Sequence, residues 1–246
     1  MKLKHFLYLP IAVLSTLAFT SCLDDDNGGD TEFRDGFLSV INAVPDTSAL
    51  DFYIENVHLD DAPISFSGRY PDESYIEIAG PFQYNFTVTF PNVTSSFLLR
   101  SPISINPDVY YSIYVFNTAA DDNVEGIMLI DDLESPAAGK AKVRFVHLGT
   151  DGPEVDLGAA GDTEAWFSDF AFKDASQEDE YVEVDAGIYD LEVREAGTAT
   201  VLFNEPGVEL ENSKVYTLWI RGINDGAGQR ALSLETIEHV EVEPTP

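Results

Sequence analysis

Leu38-Ser39-Val40-Ile41-Asn42 and Val143-Arg144-Phe145-Val146-His147 are one pattern written twice. Each is an apolar, β-type run that ends on a polar side chain. Each is followed at the same distance by a second run, Leu50-Asp51-Phe52 and Val155-Asp156-Leu157. The offset is 105 residues without a gap, so Asp46 falls on Asp151 and Asp51 on Asp156. Tyr75-Ile76-Glu77-Ile78 lies over Tyr181-Val182-Glu183-Val184 at an offset of 106. Tyr111, Ile113 and Val115 match Tyr216, Leu218 and Ile220, back at 105. Three segments at near-constant spacing mean two copies of one structural unit. The stretch Ser135-Pro136-Ala137-Ala138-Gly139 between them has the composition of a linker.

Each copy is a series of short β-type runs broken by Gly, Pro, Asn and Asp. Strands are predicted at 37–43, 50–54, 74–78, 83–90, 97–105, 110–117 and 125–130. In the second copy they fall at 142–148, 155–158, 181–184, 188–195, 201–208, 215–221 and 231–239. About seven short strands in about 100 residues is a β-sandwich pattern. Val215, Thr217, Trp219 and Arg221 alternate with Tyr216, Leu218 and Ile220, as on a pleated strand with two different faces. No convincing amphipathic helix is present. The reading is all-β, with two tandem sandwich domains over 36–138 and 139–246.

The first 21 residues, MKLKHFLYLPIAVLSTLAFTS, have signal-peptide layout. Lys2 and Lys4 precede an apolar stretch from Phe6 to Phe19, which is short for a membrane span. Small residues Thr20 and Ser21 lead into Cys22, the only cysteine, so no internal disulfide can form. The arrangement resembles a lipobox, in which the thiol is acylated and cleavage leaves Cys22 as the first residue. Acylation then holds the chain at a membrane, at about 0.8 kcal/mol per buried CH₂. Residues 22–35 are acid- and Gly-rich, as an extended tether should be. A cysteine followed by several acidic residues resembles the surface-export signal of Bacteroidetes lipoproteins. That resemblance implies the outer leaflet of the outer membrane, facing the cell exterior.

The Lys142–His147 run, with Asp151-Gly152-Pro153 and Val155-Asp156 behind it, resembles the opening of the DUF4397 family. So does Tyr181-Val182-Glu183-Val184-Asp185-Ala186-Gly187 with the strand to Val193. The first copy departs more: Asn42 stands for the histidine, and Ala79-Gly80-Pro81 for the Asp-Ala-Gly turn. The resemblance implies extracytoplasmic, immunoglobulin-like sandwiches, often in tandem. It carries no established activity, so it transfers no catalytic residue.

The charge is extreme, with 13 basic residues against 44 acidic ones for a net of -31. Loss of Lys2 and Lys4 with the signal peptide would leave 11 basic residues. Such a surface repels phosphate backbones, which argues against nucleic acid as a partner. Beyond residue 22 the histidines are His58, His147 and His239, none in a zinc-type spacing. Neither a nucleophile elbow nor a phosphate loop is present. Among so many carboxylates, close pairs arise by accident and say nothing about glycosidase chemistry. His147 ends a strand and has Asn42 as its counterpart, which suits a polar anchor for loop backbone. Asp51 and Asp156 recur at equivalent places and suit turn capping.

These observations lead to a non-enzyme without an obligatory cofactor. Calcium is the one cation the sequence suits, through Asp121, Asp122 and Asn123, with Asp131-Asp132 nearby; solvated loops are the competing reading. Tyr114 and Trp219 are repeat equivalents on the face opposite the Tyr111/Leu218 set. Exposed there, they would stack on sugar rings or anchor a protein. The competing reading is that they are core or pack between domains. Trp166 and Phe167 have no counterpart in the first copy and are the other candidates for binding. The function expected is a surface-exposed outer-membrane lipoprotein, membrane-held by its lipid, that binds glycan or an envelope protein without catalysis. The alternative is a structural or accessory subunit of an outer-membrane complex.

Overall fold

The computed structural model describes residues 34–120 and 122–240. The signal-peptide and tether readings, Cys22 and Asp121 lie outside these residues.

The first copy contains β1 (Asp35–Asn42), β2 (Ala49–Ile54), β3 (Val57–His58), β4 (Ile64–Ser65), β5 (Arg69–Tyr70), β6 (Ile76–Ala79), β7 (Phe82–Thr89), β8 (Leu99–Ile105), β9 (Tyr110–Phe116) and β10 (Glu125–Ile130). The second contains β11 (Lys140–His147), β12 (Val155–Ala159), β13 (Phe167–Phe170), β14 (Val182–Asp185), β15 (Gly187–Glu195), β16 (Val201–Leu210), β17 (Val215–Arg221) and β18 (Ser233–His239). Each predicted strand is present within a few residues. The additions β3, β4, β5 and β13 are two- to four-residue ladders, too short for a period-2 signal.

In each copy two sheets divide the strands in the same way. One has the order β10-β9-β1, with β5 and β6 both paired to the far side of β1. The other has the order β3-β2-β7-β8, with β4 also on β2. The second copy repeats them as β14-β11-β17-β18 and β13-β12-β15-β16. Register repeats as well. Leu38 pairs with Tyr111 as Val143 does with Tyr216, and Asp51 with Thr89 as Asp156 does with Arg194. The pair β1/β9, and likewise β11/β17, is parallel and central. In an immunoglobulin domain the first and second strands share a sheet; here β1 and β2 lie in different sheets.

The alternation predicted for β17 is what the packing uses. Tyr216, Leu218 and Ile220 enter the core of the second sandwich with Val143, Phe145 and Leu191. Leu38, Val40, Phe52, Phe86 and Ile113 fill the first. A third apolar cluster joins the two sandwiches: Ile41, Ala43, Tyr114, Phe116 and Leu129 from the first meet Val146, Leu148 and Trp219 from the second. The β1/β9 and β11/β17 pairs are therefore buried on both faces, which is why they read as almost unbroken apolar runs. The described residues of both sandwiches belong to one compact unit.

Candidate functional site

The sheet-on-sheet contact between the sandwiches is built from repeat-equivalent residues. Ile41 and Val146, Ala43 and Leu148, and Tyr114 and Trp219 are each one position in two copies. Tyr114 and Trp219 meet edge-on at 5.9 Å between ring centres. Phe116 meets Phe172 edge-on at 5.9 Å; the equivalent pair, Arg221 and Phe66, makes a cation–π contact at 5.2 Å. When position i of one unit touches j of the other and j touches i, the contact has two-fold character. This corrects the expectation that Tyr114 and Trp219 offer a binding face. Both are essentially fully buried, because the face that carries them is covered by the neighbouring sandwich.

Beside these rings lies a polar network with no exposure at its centre. Asp131 follows β10, and His239 ends β18 at the matching place. Ser112 Oγ donates to Asp131 Oδ2 at 2.7 Å, and its equivalent Thr217 Oγ1 lies 2.7 Å from His239 Nε2. Arg144 donates to Asp131 Oδ1, to Thr217 Oγ1 at 2.7 Å and to the Ile130 carbonyl at 3.0 Å. Tyr75 donates to Asp131 Oδ2 at 2.8 Å and lies 2.6 Å from His239 Nδ1. One proton arrangement satisfies every group: neutral His239 donates from Nδ1 to Tyr75 and accepts from Thr217 at Nε2. Hydrogen bonds then run from Arg144 to Asp131 by two routes, directly and through Thr217, His239 and Tyr75.

The ionisation of each member follows. Burial alone would raise the Asp131 carboxyl, but the Arg144 guanidinium, His239 and the hydrogen bonds from Ser112 and Tyr75 together outweigh it and hold it below its usual value. Burial would lower Arg144; the Asp131 carboxylate, with Tyr114, Tyr181 and Tyr75 behind it, reverses this and pushes it up. His239 is pushed down to about 3 by burial, with Arg144 and Arg69 adding to the effect against Asp131. Burial, then Asp131, drives the Tyr75 hydroxyl far up. The perturbed groups are sealed from any substrate, so what they do is hold two sandwiches in one orientation. Sequence reasoning missed them. It read Asp131-Asp132 as a loop that suits calcium, whereas Asp131 sits in this network and Asp132 is bonded by Lys142.

The remaining predicted residues do not converge. Phe167 is buried in the second core against Phe145 and Phe170, so it is not a free binding ring. Trp166 is half-buried and packs edge-on against Tyr189 at 5.0 Å. Asp122 and Asn123 sit in an exposed turn after β9. The nearby Asp46 carboxylate is used there to accept the Ala119 and Ala120 N–H groups. Among the described residues no three His, Cys, Asp or Glu side chains gather as a metal group. His147 is a strand-end anchor: Nε2 lies 2.9 Å from the Pro153 carbonyl, and Nδ1 accepts from Gly149. Asn42 does the same, donating to the Ile64 carbonyl and accepting from Val44. Asp51 and Asp156 cap equivalent turns, accepting N–H bonds of 3.0 Å from Asn92 and Gly197, both at positive φ.

Surface grooves remain where the interface reaches solvent. The Ile130 carbonyl points at Arg144 and the Glu238 carbonyl at Arg69, so both face away from the sheets that hold them. Beside these ends lie two open grooves. One, of about 650 Å³, is lined by Met128, Ile130, Gln177, Glu178 and Asp179. The other, of about 510 Å³, is lined by Arg69, Asp72, Glu73, Thr236, Glu238 and Val240.

The sequence profile of a family described as a domain of unknown function, DUF4397, matches residues 36–158. That span holds all of the first sandwich but the first residue of β1, then β11 and all but the last residue of β12, so the less similar copy carries most of the match. The Lys142–Asp156 motif lies inside it, and the Tyr181–Val193 motif beyond it. Among curated proteins none matches the chain.

Proposed function

The chain belongs to the DUF4397 family, and from that premise we propose a lipid-anchored, surface-exposed outer-membrane module that binds a protein partner without catalysis. The family brings no activity, so the reading rests on surfaces. The observation that carries it is the fate of the aromatic rings. Of the four rings on which a sugar would have stacked, Tyr114, Trp219 and Phe167 are spent on the interface and the core, and the half-buried Trp166 packs on Tyr189. The most perturbed ionisable groups are likewise spent on joining the sandwiches. What stays outside is a strongly acidic surface with strand edges, which suits a polypeptide better than a glycan. A rigid tandem at the end of a tether also suits the second reading, an accessory subunit of an outer-membrane complex.

Crosslinking in intact cells, followed by mass spectrometry, tests this. A partner crosslinked to the outer surface of residues 34–240 is the expected result, and fixed stoichiometry would favour the subunit reading. Turnover in a substrate screen, abolished by one side-chain change, would overturn the non-catalytic reading. Saturable binding on a glycan array would overturn the choice of protein. Replacing Cys22 by Ser should release the chain from the membrane fraction; retention there would refute the lipid anchor.

A further inference from the structure

We infer that the chain carries two matching docking sites for an extended, lysine- or arginine-bearing polypeptide, one along the free edge of β10 and one along β18. This deepens the proposed function and rests on it.

The first observation is the strand edges. β10 and β18 are outer strands, each paired on one side only. The outward Ile130 and Glu238 carbonyls fix the phase of each strand. By antiparallel alternation, the peptide groups of Met128 and Gly126, and of Thr236 and Leu234, also point away from the sheet. The arginines take only the last carbonyl of each edge, and the rest form a row of donors and acceptors ready for another strand. The long edges of the other two sheets are blunted instead. β8 carries Pro102, and β16 carries Pro206 with a register shift between Tyr189 and Leu191.

The second observation is charge placed at equivalent positions. Glu178 and Asp179 face the β10 groove from the bulge between Ala175, which bridges Val146 of β11, and β14. Asp72 and Glu73 face the β18 groove from the matching bulge in the first sandwich. The two acidic pairs are repeat equivalents at an offset of 106, and among the described residues none of the four is in a salt bridge. Each groove thus combines a free edge from one sandwich with two carboxylates from the other, and Arg69 also lines the β18 groove. A strand added to the edge projects alternate side chains to one face, and cationic ones there would meet the carboxylates. The net charge of -31 steers such a segment in and repels acidic competitors.

The test uses the full chain and a synthetic peptide of alternating lysine and valine. Two comparison peptides accompany it: one N-methylated on alternate amides, and one with glutamate for lysine. Hydrogen exchange should show new protection at Met128 and Thr236. Binding should fall with salt, vanish on N-methylation and be absent for the glutamate peptide. Glu178→Lys with Asp179→Lys, both exposed, should weaken the β10 site roughly tenfold and leave protection at Thr236 intact. Equal binding of the N-methylated peptide, protection at β8 or β16 instead, or no saturable binding would each overturn the inference. If crosslinks in cells still identify a surface partner contacting another face, the binding-module reading survives and these two sites fall alone.

Discussion

Replacing Asp131 by Asn should be among the most damaging single changes available, although it alters one atom. The carboxylate is fully buried and accepts at both oxygens: Arg144 at Oδ1, Tyr75 and Ser112 at Oδ2. An amide must turn its NH₂ toward one of these donors, and it leaves the Arg144 guanidinium without a counter-charge in a dry interface. Removing one partner of a buried pair costs about 3–5 kcal/mol. For a folded body of this size that is a fall in Tm of roughly 6–20 °C. Denaturant midpoints and calorimetry at low and high salt would measure it. The loss should hardly change with salt, because the pair is out of reach of screening ions. Changing both partners to apolar residues, Asp131→Leu with Arg144→Met, should recover most of the loss, since no orphaned charge remains. A cost under about 1 kcal/mol, or a salt dependence like that of the exposed Lys173–Glu125 pair, would mean that the interface is wet and the network argument wrong.

Stability should decline in mild acid before the carboxylates protonate. An unfolded histidine binds a proton near pH 6.5, whereas folded His239 does so only near 3. Between those values the unfolded state holds more protons, so stability falls as pH falls, by roughly 1.4 kcal/mol per pH unit. Asp131, held low by Arg144, adds a further loss as the pH drops through its depressed value. His239→Gln should flatten the upper part of the curve, and an unchanged slope would refute the assignment. Trp219→Ala empties the centre of the contact between the sandwiches and should cost about 3–5 kcal/mol, with two unfolding transitions replacing one in calorimetry. Gly222 has φ +99 and leaves only 2.3 Å between an added Cβ and the Ala231 carbonyl oxygen. Gly222→Ala should therefore cost clearly more than Gly139→Ala, at φ +85 but with nothing within 4 Å; comparable midpoints would refute it.

The strands and the duplication were legible because each strand has one face that must be apolar and turns that must be Gly, Pro, Asn or Asp. The fate of Tyr114 and Trp219 was not. A residue on the outer face of a sheet has the same sequence context whether water or a second sandwich covers it. Their equivalence was a usable signal, since a two-fold contact requires the same position to be buried in both copies. The polar network was hidden for another reason. The turn after β17 is three residues longer than the turn after β9, so the last strands match at an offset of 108, not 105. The equivalence of Asp131 and His239, and of the pairs each makes with Ser112 or Thr217, disappears at the shorter offset. Their partners Tyr75 and Arg144 come from other strands, and no local pattern joins them.

The way this chain spends its sheet faces restricts where it can recognise anything. Two faces in each sandwich make its core, and one more from each is consumed between sandwiches. Of the faces left over, that of the second sandwich is partly covered by its own chain. Gly158 lets the Ala165 and Trp166 backbone lie against it, and Arg194 clasps that loop through the Asp162 and Ala159 carbonyls. Of the long sheet edges, those without proline are β10 and β18, at the rim of the buried interface. Each rim groove takes its edge from one sandwich and its carboxylates from the other, so its shape depends on how firmly the two are held together. Asp131→Asn should therefore weaken the lysine–valine peptide at both grooves, although Asp131 itself is buried and touches neither ligand. If affinity stays unchanged while the interface is measurably loosened, each groove must be a property of one sandwich, and the joint construction argued from Glu178, Asp179 and the β10 edge is refuted.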